Sequence, residues 1–183
     1  MHKCISALTE ANPQGVVLAF DCSNAYNSLP RQHILSGLRA RAPALLRFAR
    51  CWLGGETTHL FWDGNSDAEP VRATSGVDQG CPLSPAFFAI TVAGALGEIN
   101  GRLQQLSPEC RVFSYLDDIM VFAPPEHAVA AAQLVPAELA RLGLTVNLDK
   151  TQAWTADPQA PAAGHQRSPG TDPEVSRERR ALD

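Results

Sequence analysis

Blocks of apolar residues with clear periods alternate along this chain with short polar breaks. Val16-Val17-Leu18-Ala19-Phe20 is a continuous apolar run ending on Asp21, the pattern of a buried strand that opens into a polar loop. Residues 1–14 before it read as the end of a helix and an Asn12-Pro13-Gln14-Gly15 turn. From Pro30 to about Leu53, apolar residues recur at helical spacing through Ile34, Leu38, Leu45, Phe48 and Trp52. Pro43 divides that stretch into two helices, and Gly54-Gly55 ends the second. Residues 57–62 and 69–74 flank a turn-rich segment and predict a β-hairpin. Ser84, as an N-cap, and Pro85, in the first turn, open a long apolar helix that runs to about Leu106.

A second hairpin follows, with strands at 111–115 and 119–122 around Leu116-Asp117-Asp118. A helix from about 126 to 142 stops at Gly143, a residue suited to a left-handed cap, and Pro136 within it predicts a kink or a split. Residues 144–147 and 151–154 read as a closing pair of short strands. The order strand, helix, hairpin, helix, hairpin, helix, strand is an α+β plan, an antiparallel sheet with helices packed on one face. From Ala156 onward Pro158, Pro161, Pro169 and Pro173 interrupt a segment almost without large apolar residues, and 156–183 is predicted to be a disordered tail.

With 183 residues the chain has room for one ordinary domain, and 45% apolar with 19% charged residues is the balance of a soluble globular protein. Apolar stretches such as 85–96 end well short of the roughly 20 residues a bilayer requires, and the first residues carry no signal-peptide pattern. An intracellular protein without a membrane partner is expected. Five cysteines are scattered singly, with no pairing at zinc-ligand spacing. The formal net charge of −4 counts against a free-standing nucleic-acid binder. It agrees with a carboxylate-centred domain whose basic surface lies in flanking segments.

Four constellations carry chemistry. Asp21, at the end of an apolar strand, places a carboxylate at a sheet edge, where it would either bind a hard cation or cap the next helix. Asp117 and Asp118, side by side between two apolar strands, repel each other and make a poor hairpin turn. A divalent cation would make that arrangement sensible; an exposed acidic turn is the bland alternative. The loop Gly76-Val77-Asp78-Gln79-Gly80-Cys81-Pro82-Leu83-Ser84-Pro85 has two glycines and runs into a helix N-terminus, which favours phosphate or is merely a strand-to-helix loop. Gly143-Leu144-Thr145-Val146-Asn147-Leu148-Asp149-Lys150-Thr151 means little alone.

Taken together, these four resemble the palm motifs of reverse transcriptases. Asp21 followed five positions later by Tyr26, Gln79-Gly80-Cys81-Pro82-Leu83-Ser84-Pro85, Tyr115-Leu116-Asp117-Asp118, and Gly143-Leu144 with Asn147 and Lys150-Thr151 stand in that family's order. The closest look is to non-long-terminal-repeat retrotransposon enzymes, then to group II intron maturases. The resemblance implies a polymerase palm (a ferredoxin-like antiparallel sheet) over residues 15–155, a residual helix over 1–14, and fingers and thumb largely missing. It implies RNA-templated DNA synthesis with two Mg2+ ions, Mn2+ being a substitute, held by Asp21, Asp117, Asp118 and the main chain of Cys22. Asn24, Ala25, Tyr26, Gln79 and Gly80 would bind the deoxynucleotide, with Tyr26 excluding a 2′-hydroxyl. Tyr115 would support the primer, and Lys150 would serve the departing pyrophosphate. The implied partners are an RNA template, a DNA primer, deoxynucleoside triphosphates, and fingers and thumb segments or a larger polyprotein; a nuclear site of action follows from the family. An inactive palm-like nucleic-acid-binding remnant and an RNA-templated RNA polymerase are the alternatives.

Overall fold

The computed structural model describes residues 1–62, 64 and 68–157. Its elements run α1 (His2–Ala11), β1 (Val16–Ser23), α2 (Ala25–Ser28), α3 (Arg31–Arg41), α4 (Pro43–Leu53), β2 (Thr57–Phe61), β3 (Glu69–Ala73), α5 (Ser84–Leu106), β4 (Arg111–Tyr115), β5 (Asp118–Ala123), α6 (Pro125–Arg141) and β6 (Thr145–Thr155). Four strands form an antiparallel sheet in the order β4-β5-β1-β6, and β2 with β3 makes a separate hairpin. This is the α+β plan that the apolar periodicity predicts.

Alternation along β1 sorts its side chains into two layers. Val16, Leu18, Phe20 and Cys22 join Ile34 and Leu38 of α3, Phe88 and Val92 of α5, and Val135 and Leu139 of α6 in the main core. Val17 points the other way and meets Ile5 of α1 and Phe122 of β5 in a smaller cluster. The sheet thus carries most helices on one face and α1 on the other. α3 and α5 approach closely because Gly37 lies against Thr91, where a Cβ would come within 3.0 Å of the Thr91 Cα.

Three sequence expectations are refined. Pro136 does not split α6, which is one helix anchored by buried Val135 and Leu139 on either side of the proline. Its end is a Schellman motif: Gly143, at φ +85°, donates its N–H to the Ala140 carbonyl, and Leu144 donates to that of Leu139. Ser84 is the first helical residue of α5 rather than its N-cap, a place taken by Leu83. The two closing strands form the single strand β6, which carries a bulge. Ala19 pairs with Gln152 and Asp21 with Asn147, so five steps along β6 answer two along β1. The predicted tail lies outside the described residues from 158 onward. Asp157 donates its N–H to the Pro13 carbonyl at 3.0 Å.

Among the described residues, two charged side chains are buried, and both are structural. Arg31 donates to the carbonyls of Gly55 and Gly76 and to Thr57 Oγ1, tying α3 to the β2 hairpin and the 76–80 loop. Glu138, 5% exposed, accepts from Arg102 Nη1 at 2.5 Å and from Arg141 Nη1 at 3.2 Å.

Candidate active site

β1 and β5 run antiparallel with Phe20 opposite Ile119, and one further step brings Asp21 level with Asp118. Both lie on the layer away from the main core, in step with Val17 and Phe122. On the far side of β5, Tyr115 pairs with Asp118 and is widely exposed. Between Tyr115 and Asp118 the chain reverses through Leu116 and Asp117. Leu116 has a φ of +58°, in the left-handed region that favours glycine, and Asp117 does not share that region. A leucine there costs about 1–2 kcal/mol. Strain of this kind persists where surrounding structure imposes it, and it concentrates at functional sites.

Asp21 does not cap the following helix. The cap position of α2 belongs to Asn24, left-handed at φ 48°, whose Oδ1 accepts from Asn27 Nδ2 at 2.8 Å. The Asp21 carboxylate faces Lys150, with Nζ 3.6 Å from Oδ2. The residue that brings Lys150 there is Asn147, whose position in the fourth motif did not reveal this part. Its Oδ1 accepts from the N–H groups of Asp149 and Lys150, and its carbonyl accepts from Thr151 Oγ1, which closes the β6 bulge on itself. Because Asn147 is also the β-partner of Asp21, the bulge starts directly beside the carboxylate.

Cys22 turns its side chain into the main core, so only its main chain is available at the sheet edge. Burial, followed by the negative charges of Asp117 and Asp21, pushes its thiol up to about 11. Ala25 is buried, and Tyr26 stacks on Phe88 with ring centroids 4.8 Å apart and planes 18° from parallel. Burial, then Asp117 and Tyr115, raise the Tyr26 phenol, which places that hydroxyl in the field of the turn. Tyr26 also lines a cavity of about 360 Å3 together with Asp78, Gln79, Gly80, Cys81 and Ser84. Gly80, at φ +93°, has open space where a Cβ would stand, so its backbone is bare toward that cavity. The structure therefore gathers the sequence-predicted residues into two adjoining groups. Asp21, Asp117, Asp118, Tyr115 and Lys150 occupy the sheet edge, and Tyr26, Gln79 and Gly80 occupy the cavity.

The donor set at the edge is all oxygen, which suits a hard cation. Among the described residues no three His, Cys, Asp or Glu side chains already converge as a cage, and the Lys150 ammonium supplies the counter-charge. The fit to a metal thus rests on donor chemistry and on a shared sheet edge.

The Cys81 thiol is held below its usual value, first by the Leu83 N–H and also by Ser84. Thiolate is the reactive form, so a lowered value means more of it at neutral pH. Burial raises the Cys22 and Cys110 thiols. Brief alkylation with iodoacetamide at pH 7, read by peptide mass spectrometry, should label Cys81 well before Cys22 and Cys110. Earlier labelling of either buried cysteine would contradict this electrostatic ordering.

No helix among the described residues is long and apolar enough to cross a membrane. The family model for the reverse transcriptase (RNA-dependent DNA polymerase) matches residues 2–175. The retrotransposable element SLACS 132 kDa protein of Trypanosoma brucei gambiense is 33% identical over 141 residues, which are 76% of this chain and 12% of that protein. Apo telomerase from Candida tropicalis, truncated from its C-terminal domain, superposes with a TM-score of 0.66 at 16% identity, over 88% of this chain and 34% of that one. Telomerase from Candida albicans, in complex with the TWJ fragment of telomeric RNA, gives 0.66 at 14% identity, over 84% and 30%. The telomerases share the fold; the family model and the trypanosome relative establish that the chain belongs to the reverse transcriptase family, in its non-long-terminal-repeat retrotransposon branch.

Proposed function

We propose that this chain is the palm module, over residues 15–155, of a retroelement reverse transcriptase and carries its nucleotidyl-transfer centre. The carrying observation is the meeting of Asp21 and Asp118 with the strained Asp117 turn at one sheet edge, beside the cavity of Tyr26, Gln79 and Gly80. Asp21 and Asp117 would hold two Mg2+ ions, or Mn2+ in their place, with Asp118 and the Cys22 main chain in support. When bound, such ions stabilise the attacking and leaving oxygens of an in-line displacement. Tyr26, fixed by its stack on Phe88, would lie under the sugar and exclude a 2′-hydroxyl. Asn24 and Ala25 hold the backbone ahead of Tyr26, Gln79 and Gly80 line the nucleotide, and Tyr115 supports the primer end. Lys150, on its Asn147-closed bulge, stands where a cation would meet the departing pyrophosphate. The chain spans 12% of the trypanosome relative's length, which supports a module that works with fingers and thumb segments of a longer polyprotein on an RNA template and a DNA primer.

Primer extension on poly(rA)/oligo(dT) with dTTP and Mg2+ tests this reading, and elongated product is expected. Tyr26→Val should raise UTP incorporation relative to dTTP by roughly 10- to 200-fold, the range over which a change of shape in a pocket discriminates. No product at any protein concentration would sink catalysis by this chain. A wild type that prefers UTP would replace the reading with an RNA polymerase.

A further inference from the structure

Of the chain's 15 lysine and arginine residues only two are lysines, Lys3 and Lys150, and Lys150 stands at the candidate active site. Its Nζ lies 3.6 Å from Asp21 Oδ2, and among the described residues no other carboxylate is within ion-pair distance of it. Nor, among those residues, does Asp117 or Asp118 have an ion pair of its own. The Lys150–Asp21 pair is open to water, with side chains 68% and 45% exposed. A pair of this kind is weak, worth a factor of about 5 at most in an equilibrium constant.

The second observation is that the main chain carrying Lys150 is pinned while its side chain reaches into water. Asn147 Oδ1 accepts from the N–H groups of Asp149 and Lys150, and the Asn147 carbonyl accepts from Thr151 Oγ1. Asn147 in turn pairs with Asp21 across the sheet. The Lys150 stem therefore starts from a set place close to the carboxylate. Residue type matters at that place. An arginine can grip a carboxylate through two parallel N–H bonds, whereas an ammonium is a compact charge on a flexible stem and is given up more readily. In a chain whose other cations are almost all arginine, this position carries the one that can be released.

Asp21 thus has two claimants, since the function proposed above also gives it a divalent cation. A divalent cation and an ammonium on one carboxylate are like charges that repel each other. We propose that Lys150 is a releasable counter-ion of Asp21: ammonium and divalent cation exchange on that carboxylate, and the exchange frees Lys150 to meet the phosphates. The inference rests on Asp21 being a metal ligand and adds an order of events to that reading. Lys150 reaches the pyrophosphate side only after a cation has taken its place, so the charge is delivered when the site is loaded and not before.

The test is a titration of the full chain with Mn2+, without nucleotide or nucleic acid, following free Mn2+ by its electron paramagnetic resonance signal. Asp21→Asn defines the Asp21-dependent binding, and circular dichroism verifies that each variant is folded. Lys150→Gln should tighten that binding by about two- to fivefold, the range of a solvent-open ion pair. Lys150→Arg, with the same charge, should weaken it by about twofold or more, because the guanidinium holds the carboxylate with two bonds. Asn147→Ala, which changes no charge, should tighten it by about twofold by unpinning the Lys150 main chain. Lys3→Gln is the control for net charge. No gain in Lys150→Gln, an equal gain in Lys3→Gln, or a Lys150→Arg variant that binds as wild type does would each overturn the proposal. If Asp21→Asn loses the site while the Lys150 variants match wild type, the counter-ion exchange fails alone. If Asp21→Asn binds Mn2+ as wild type does, the metal reading of the sheet edge fails and takes the exchange with it.

Discussion

Asp117→Asn should abolish primer extension, by a factor of about 1,000 or more, while leaving the fold as stable as before or slightly more so. The two halves of that expectation come from the same turn. A carboxylate that ligates an ion facing the transferring phosphate contributes several kcal/mol to the transition state, and each 1.36 kcal/mol is tenfold in rate. An amide keeps the shape and loses the charge. In the metal-free fold, however, Asp117 and Asp118 repel each other across a turn already strained at Leu116, φ +58°. Asparagine relieves that repulsion and is a better turn residue. Thermal unfolding read beside primer extension therefore separates a functional carboxylate from a structural one. Loss of activity together with a fall in the melting temperature would assign Asp117 to the fold, and unchanged activity would remove it from the site.

The local parts of this site were legible in the sequence because each is a change of pattern over a few residues. The apolar run into Asp21, the doubled aspartate between apolar strands and the glycine-punctuated loop before α5 all sit where the structure has them. Everything that depends on distant contacts was not. The β6 bulge is set by Asn147 bonding its own neighbours while pairing with Asp21, and only the gap between two expected short strands hinted at it. Arg31 and Glu138 could not be read as buried, because charged residues are ordinarily at the surface and the contacts that bury them involve segments more than twenty residues away, Gly55 and Thr57 for Arg31 and Arg102 for Glu138. The left-handed Leu116 was invisible because leucine rarely adopts that conformation, whereas Gly143 announced its cap by residue type alone. Lys150 could be tied to the site only by motif, and its distance from Asp21 is new information from the fold.

Gly76→Ala should destabilise the protein by about 3 kcal/mol or more and disturb the nucleotide side of the site, while Gly80→Ala should do far less to the fold. Both glycines have positive φ, +71° and +93°, so alanine costs about 1–2 kcal/mol at either one. Their surroundings differ. At Gly76 a Cβ would come within 2.4 Å of the Asn27 Cα and carbonyl oxygen, and backbone cannot swing aside as a side chain would. Forcing it apart adds an overpacking cost of about 1–3 kcal/mol. The displaced segment also holds two bonds that locate Tyr26: Gly76 donates its N–H to the Leu29 carbonyl at 3.0 Å, and Val77 donates to that of Tyr26 at 2.9 Å. Arg31 loses an acceptor as well, since its Nε donates to the Gly76 carbonyl. For a chain of this length each kcal/mol lowers the melting temperature by about 2–4 °C, so Gly76→Ala should melt about 6–12 °C below wild type. Gly80 has nothing within 4 Å of the added carbon, so its alanine variant carries only the backbone cost of about 1–2 kcal/mol and should melt above Gly76→Ala. Its methyl group would instead enter the cavity and raise the KM for dTTP. Equal melting temperatures for the two variants would mean that the 75–77 segment does not rest on α2, and with it would go the physical link between this loop and the position of Tyr26.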